Sequence, residues 1–428
     1  MNNTKRVFLF GFALFAGFFG AGNLILPPLL GYNSGPDWWL VAIGFLITTT
    51  VIPFLSLFGH AKLQGTMLAF GNKVSPLFSL IYCIVMYLII VALPAPRTAA
   101  VTHEMAIAPI LGTPAIWTSL VYFSLVFLFV INRSKALNIL GKYLTPIIVI
   151  MVLLIIILGL VSTTSGMNPP IFETPFVDGL LEGYQTYDAL AGMVMGGVII
   201  ISLNKNNSFS YSEKKKIIAK SGFIAMLGLF IIYAGLISIG AIYNGEFPSD
   251  VSRTDLLLGL AVKTLGNIGA TFVSVLVGLA CFTTAVAITV SIADFFEDLF
   301  NNNRKVYVIT AIICCVTGII VGSYEVGFII DIALPALMFI YPISIVLILL
   351  NILPDRYAGT TIFRIVVIVT FIFSIPDFLK YFLPEDSLRP IIEQLPLAEQ
   401  SLGWILPAMI AFIIGNGLVN LKKNSNSL

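Results

Sequence analysis

Gly17-Phe18-Phe19-Gly20-Ala21-Gly22-Asn23, followed by Pro27-Pro28, lies in the middle of the first long apolar segment, where an unbroken helix is expected. Each of the three glycines weakens a helix by roughly 1 kcal/mol relative to alanine. In lipid, such weakness is tolerated only where the freed backbone groups find partners in protein or line a cavity. A broken first helix in a polytopic membrane protein points to a substrate and ion site near the bilayer midplane. The competing explanation, small residues that merely admit a neighbouring helix, leaves the polar Asn23 without a reason.

Composition settles the class. Of 428 residues, 58% are hydrophobic and 10% charged, with mean hydropathy +1.01. A soluble domain carries about 25% charged residues. Many runs reach ~20 apolar residues, enough to cross ~30 Å of hydrocarbon. The expectation is an all-α integral membrane protein with the lipid bilayer as its surroundings. A net charge of +2 and the lack of a basic tail give no sign of nucleic acid. Cys83, Cys281, Cys314 and Cys315 fall inside apolar segments and read as small core residues. His60 and His103 are the only histidines, so no His cluster is expected to hold a metal, and no cofactor is expected. The run after the short basic N-terminus is too long and glycine-broken for a signal peptide.

Twelve candidate spans follow, at 7–30, 38–59, 76–97, 115–132, 143–163, 180–203, 218–243, 267–293, 306–323, 328–351, 361–376 and 402–421. Pro376 is expected to cut the eleventh short. With a cytoplasmic N-terminus, 18 of the 23 Lys and Arg residues collect on one side, including Arg133, Lys135 and Lys205. Only Arg97, Arg253, Lys263, Lys380 and Arg389 fall on the other. This asymmetry orients both termini to the cytoplasm, in a cell membrane. The connection 244–266 admits two readings, a short helix dipping back as a lid or a solvated loop. Asp294, Glu297 and Asp298 read as a solvated helix end.

The sixth span, Gly183-Tyr184-Gln185-Thr186-Tyr187-Asp188-Ala189-Leu190-Ala191-Gly192, is again glycine-interrupted and polar in its first half. Spans one and six are five apart, and an odd number of spans per repeat inverts the second copy. Broken segments in corresponding positions mark inverted-repeat transporters. One transmembrane domain is expected, with a first five-helix repeat at 7–163, a second at 180–351, and two appended helices at 361–421.

A broken helix offers free N–H groups with partial positive charge at one half and free carbonyls at the other. Gly20, Ala21 and Gly22 would receive a carboxylate, and Asn23 adds a hard oxygen suited to Na⁺. Ala280-Cys281-Phe282-Thr283-Thr284 places two hydroxyls in mid-membrane; they either back-bond to their own helix or face a cation. Asp188, beside Glu182, Gln185 and Thr186, is an intramembrane acid and a functional candidate by default. Holding an ammonium group, relaying a proton and capping the half-helix all remain open for it. Asp331, with Glu325 before it, reads as interfacial. Pro94-Ala95-Pro96-Arg97 ends or kinks the third span. Arg97 is either a gate pairing with Glu104 or Glu182, or a snorkelling interfacial residue. No serine elbow, phosphate loop or metal-binding histidine pair suggests an enzyme.

Three stretches together carry a resemblance: Phe18-Phe19-Gly20-Ala21-Gly22-Asn23-Leu24-Ile25-Leu26-Pro27-Pro28, Pro96-Arg97-Thr98-Ala99-Ala100, and Gly183-Tyr184-Gln185-Thr186-Tyr187-Asp188-Ala189-Leu190-Ala191. Over essentially its whole length, the chain resembles the leucine/isoleucine/valine:cation symporter family of branched-chain amino acid transport system II carriers. The resemblance implies the LeuT-like fold of the wider amino acid–polyamine–organocation superfamily, with helices 1 and 6 broken. It also implies a cation site from the carbonyls of Ala16, Phe19 and Ala280 with the hydroxyls of Thr283 and Thr284, and a second that Asn23 matches in part. It implies leucine, isoleucine or valine as substrate, in a pocket for which Phe18, Phe19, Tyr87, Met193 and Phe282 are candidates.

The resulting expectation is a secondary active symporter driven by Na⁺ or H⁺ through alternating access. A carrier for another small neutral amino acid, a channel and a membrane sensor are the rivals.

Overall fold

The computed structural model describes residues 3–132, 140–161, 166–204 and 209–425. Arg133, Lys135 and Lys205 of the basic side, and residue 163 at the end of the fifth span and first repeat, lie outside the described residues. All regular elements among those described are helical.

The first apolar segment is two helices, α1 (Asn3–Phe18) and α2 (Ala21–Ser34), parted at Phe19-Gly20. Pro27 and Pro28 sit in the middle of α2, where each removes one i→i−4 helical bond. The chain turns at Gly35, where φ is 46°, into α3 (Trp38–Leu46), a π turn over Ile47–Val51, and α4 (Ile52–Leu63). The turn is a reversal. Asn23 and Phe45 both meet Tyr233, and Leu57 further along packs against Gly222.

Next come α5 (Pro76–Ala92), α6 (Pro94–Thr102), α7 (Ala115–Ile131) and α8 (Thr145–Val161). The short α9 (Pro175–Glu182) runs through a 3-10 turn, Gly183–Thr186, to α10 (Asp188–Asn204). The long α11 (Tyr211–Ile242) follows, opened by a Ser210–Glu213 capping box. Then come α12 (Arg253–Leu265), α13 (Gly269–Leu299), α14 (Arg304–Val321), α15 (Val326–Ile352), α16 (Thr360–Leu379), α17 (Glu385–Ile392) and α18 (Ile405–Ser425).

Eight described helical stretches are long and apolar enough to cross a membrane, nine if α9 and α10, bent by 41°, count as one span. Ala115–Ile131 and Ile405–Val419 are shorter apolar helices. The chain is a multi-pass membrane protein. On α5 one face exposes Leu77, Ile81, Val85 and Leu88, a helical spacing, while Ser79, Tyr82, Cys83, Met86 and Tyr87 are buried. Such an exposed apolar stripe belongs against lipid, not water.

Two expectations need correction here, and one open alternative is decided. The eleventh span is not cut at Pro376, because α16 continues to Leu379 and the carbonyl of Pro376 still accepts from Lys380 N at 3.0 Å. So near the helix end, the missing N–H costs a single bond. Asp294 is not solvated; it is 3% exposed within α13. The connection 244–266 is not a loop: α12 buries Leu256, Leu257, Leu260 and Ala261, and Gly266 (φ 66°) turns the chain so that Gly269 packs on Ala261. Asp331 is exposed.

The helices pack closely where glycine allows it. A Cβ on Gly31 would strike the backbone of Ile237, and one on Gly240 the backbone of Pro28, so α2 lies directly on α11. Basic residues gather at one end. Arg6 covers Phe209, Tyr211 donates to the Lys62 carbonyl at 3.1 Å, and Lys73 meets Asp355 at 2.7 Å. The Lys73 ammonium, bonded to it, and Lys62 nearby lower the Asp355 carboxyl from its ordinary value.

Candidate functional site

The break between α1 and α2 forms the floor of the site. Gly20 has extended backbone (φ −118°, ψ −157°), and α2 begins at the next residue. The first N–H groups of α2, those of Ala21 and Gly22, have no intrahelical partner and carry the positive end of the helix dipole. They face a cavity of about 40 Å³ whose walls include Gly17, Phe18, Gly20, Gly22, Ile90, Arg97, Thr186, Tyr187, Val194, Thr284 and Ile288. A water needs about 10–15 Å³ by this measure, so the cavity holds a few waters and must widen for an amino acid. Glycine is required here for space. A Cβ on Gly20 would press on Thr284 and one on Gly22 on the Arg97 guanidinium.

Asp188 opens α10 and is 1% exposed. Asn23 Nδ2 donates to both of its carboxylate oxygens at 3.0 Å, and the Tyr233 hydroxyl donates to Oδ2 at 2.9 Å. Asn23 and Tyr233 also meet each other. This knot ties the two broken segments to α11. The Asn23 carbonyl oxygen, expected to face a cation, accepts from Gly20 N at 3.3 Å. Asp188 is not among the residues lining the cavity; its carboxylate is taken up by the knot.

On the other side of the break, the Thr284 hydroxyl lies 3.1 Å and the Thr283 hydroxyl 3.4 Å from the Ala16 carbonyl oxygen. Thr283 also back-bonds to the Ala280 carbonyl at 2.9 Å, so back-bonding and convergence on α1 coexist. Phe19 is outside both helices, with its N–H still bonded to the Phe15 carbonyl at 2.8 Å. The donor set is neutral and all oxygen, which fits a hard monovalent cation. No group of three or more His, Cys, Asp or Glu able to hold a metal is found among the described residues.

Arg97 does not pair with Glu104 or Glu182. Pro94 starts a new helix one residue after α5 ends, and this directs Arg97 inward, where it is 4% exposed. Its Nη2 donates to the Gln185 carbonyl at 2.8 Å and its guanidinium sits 5.3 Å from the Tyr187 ring centre. Glu104 instead accepts from the backbone of Val326 at 2.9 Å. Glu182 accepts from Gln185 Nε2 at 2.8 Å and lies 3.8 Å from Arg253. Arg253, on α12, also donates to the Gln185 side chain at 2.7 Å. α12 is thus pinned to the second broken segment by Arg253, while Thr186 lines the cavity and donates to the Gly183 carbonyl at 2.8 Å.

The apolar pocket also differs from expectation. Only Phe18 of the five candidates lines the cavity. Phe19 stacks on Phe15, Tyr87 packs on Phe295 and Phe282 lies edge-on to Phe129. Met193 contacts Tyr82. Phe19, Tyr87 and Phe282 fill gaps between helices, whereas the cavity wall, apart from Phe18, Tyr187 and Arg97, is mostly aliphatic or small. Tyr233 and Arg253 were not singled out as site residues. The available signal for Tyr233 was a hydroxyl in an otherwise apolar run, which its buried position requires to find a partner.

The family described as branched-chain amino acid transport protein matches residues 3–422. The branched-chain amino acid transport system 2 carrier protein of Pseudomonas aeruginosa is 31% identical over 415 residues, with 94% of each chain covered. Among solved structures, the nucleobase-cation-symport-1 family transporter Mhp1, closed with bromovinylhydantoin bound, superposes with a TM-score of 0.63 at 15% identity, covering 98% of this chain and 93% of that one. MhsT in complex with L-phenylalanine gives 0.57 at 15% identity, covering 95% and 97%. These two share the fold. The matching relatives are carriers and permeases, not enzymes. By the family match along nearly its whole length, the chain belongs to the branched-chain amino acid transport proteins.

Proposed function

We propose that this protein is a secondary active importer of leucine, isoleucine and valine, driven by Na⁺ through alternating access. The observation that carries the reading is the convergence of the Ala16 carbonyl and the Thr283 and Thr284 hydroxyls beside the break in the first helix. In this reading, Na⁺ joins α1 to α13 and favours an outward-open state. The substrate carboxylate docks on the N–H groups of α2, and its aliphatic side chain lies toward Ile90, Val194 and Ile288. Release of Arg253 from Gln185 and Glu182 opens the outer side. The fold is read as twelve spans in a five-plus-five inverted repeat (7–163 and 180–351) with two appended helices (361–421), both termini being cytoplasmic in a cell membrane. The reversal at Gly35 supports that number, since the long helical stretch Ala21–Leu63 then contains the end of one pass and the whole of the next.

A second reading couples transport to H⁺ at Asp188, favoured by the burial of that carboxylate. Proteoliposome uptake separates the two. Leucine accumulation is expected with an imposed Na⁺ gradient and not with a pH gradient alone. In Thr284→Ala the Na⁺ concentration for half-maximal uptake should rise about tenfold, the scale of one lost ligand or hydrogen bond. Accumulation driven only by pH transfers the coupling role to Asp188, and none under either gradient defeats the symporter reading.

A further inference from the structure

Arg97 holds a full positive charge inside the helix assembly, because a guanidinium stays protonated in proteins. It is 4% exposed. A buried charge without a counter-charge is costly, and such groups are nearly always paired. Yet among the described residues no carboxylate lies within ion-pair distance of Arg97. The neighbouring acids are engaged elsewhere: Asp188 with Asn23 and Tyr233, Glu182 with Gln185 and Arg253. What Arg97 does have is one neutral carbonyl, that of Gln185, and the face of Tyr187. Its Nε has no partner.

The Asp188 carboxylate acts on Arg97 electrostatically without forming an ion pair, so the position of this directly unpaired cation is informative. Arg97 lines the same cavity as Gly20, Ala21 and Gly22, close enough to Gly22 that a Cβ there would overlap the guanidinium. The N-terminus of α2, a helix of 14 residues, opens on that cavity as well. Two positive features of different origin therefore meet in one small space. The rest of its wall carries no acid. The counter-charge they call for is an anion that enters and leaves.

We infer that Arg97 is the anchor for the carboxylate of the transported amino acid. The inference rests on the amino acid transport proposed above and adds the residue that demands a carboxylate. The guanidinium fork and the α2 N–H groups are both charge-matched donors for it. A ligand with the same side chain but no carboxylate leaves the fork buried and unpaired, and a site built around a polar partner strongly rejects such an analogue.

The test is competition against labelled leucine uptake in proteoliposomes by leucine, leucinamide and 3-methylbutylamine. Wild-type protein should prefer leucine to either analogue by about a hundredfold or more. Arg97→Gln should raise KM for leucine about a hundredfold, the scale of losing one partner of a desolvated charge pair, and shrink the preference over leucinamide to about fivefold or less. Arg97→Lys keeps the charge but not the fork; its KM should rise about tenfold. A merely structural Arg97 would lower the yield of folded protein or the maximal rate and leave the leucine-to-leucinamide ratio intact. The inference is overturned if wild-type protein takes leucinamide as readily as leucine, or if Arg97→Gln keeps the wild-type ratio. Should Arg97→Gln fail to fold by size-exclusion, the lysine variant decides, and an unchanged KM there overturns it equally. Wild-type protein that takes up no leucine under any gradient would instead remove the transport reading, and the anchor with it.

Discussion

Two polar knots flank the break in the first helix, and they differ in kind. One joins Asn23, Asp188 and Tyr233, a carboxylate taking hydrogen bonds from both partners. The other brings the Thr283 and Thr284 hydroxyls to the Ala16 carbonyl, with no formal charge among them. A carboxylate this well supplied with donors is held as structure, since each bond to a charged group is worth about 1.5–3 kcal/mol. A cluster of neutral oxygens gains little from its own bonds and has the ligand chemistry of a small hard cation. The first knot thus fastens the two broken segments to α11, and the second is suited to respond to an ion.

The largest expected effect removes the space between the knots. In Gly22→Leu the new side chain would overlap the Arg97 guanidinium, and leucine uptake by correctly inserted protein should fall below detection. Intact uptake would show that the cavity is not the substrate site. Next in size is a contrast between the knots. Asp188→Asn places an amide against the Asn23 amide and should cost about 2–3 kcal/mol of stability, read as a lower unfolding temperature in detergent, while residual uptake keeps its dependence on Na⁺. Thr284→Ala should cost less than about 1 kcal/mol and change mainly that dependence. The reverse pattern would exchange the roles of the two knots. The smallest effect lies among the substrates. One methylene in an apolar pocket is worth about 1–3 kcal/mol, so leucine, isoleucine and valine should compete within a modest range; a thousandfold preference for one would require a wall more selective than Ile90, Val194 and Ile288.

Much of this was legible along the chain. Gly17, Gly20 and Gly22 marked the first break because glycine lowers helix propensity wherever it stands. The polar run from Gln185 to Asp188 marked the second, but its pivot is Tyr187, in left-handed conformation with φ 62°. No local preference predicts a tyrosine there; the guanidinium of Arg97 lies over its ring. Thr283 and Thr284 were found from their mid-membrane position. Arg97 reads from its sequence neighbours as a residue of the helix end, either a gate or a snorkelling side chain, and only the new helix begun at Pro94 sends it to the cavity.

By itself, the sequence determined the membrane class, the positions of both breaks and the small set of polar residues inside them. Those properties are local, set by hydropathy and backbone propensity. The tertiary structure decided the partners. Asn23 meets Asp188 across 165 residues, Thr284 meets Ala16 across 268, and Arg97 meets Gln185 across 88. Such choices depend on the rotation and register of helices against one another, which close packing at Gly31 and Gly240 sets and no single segment encodes.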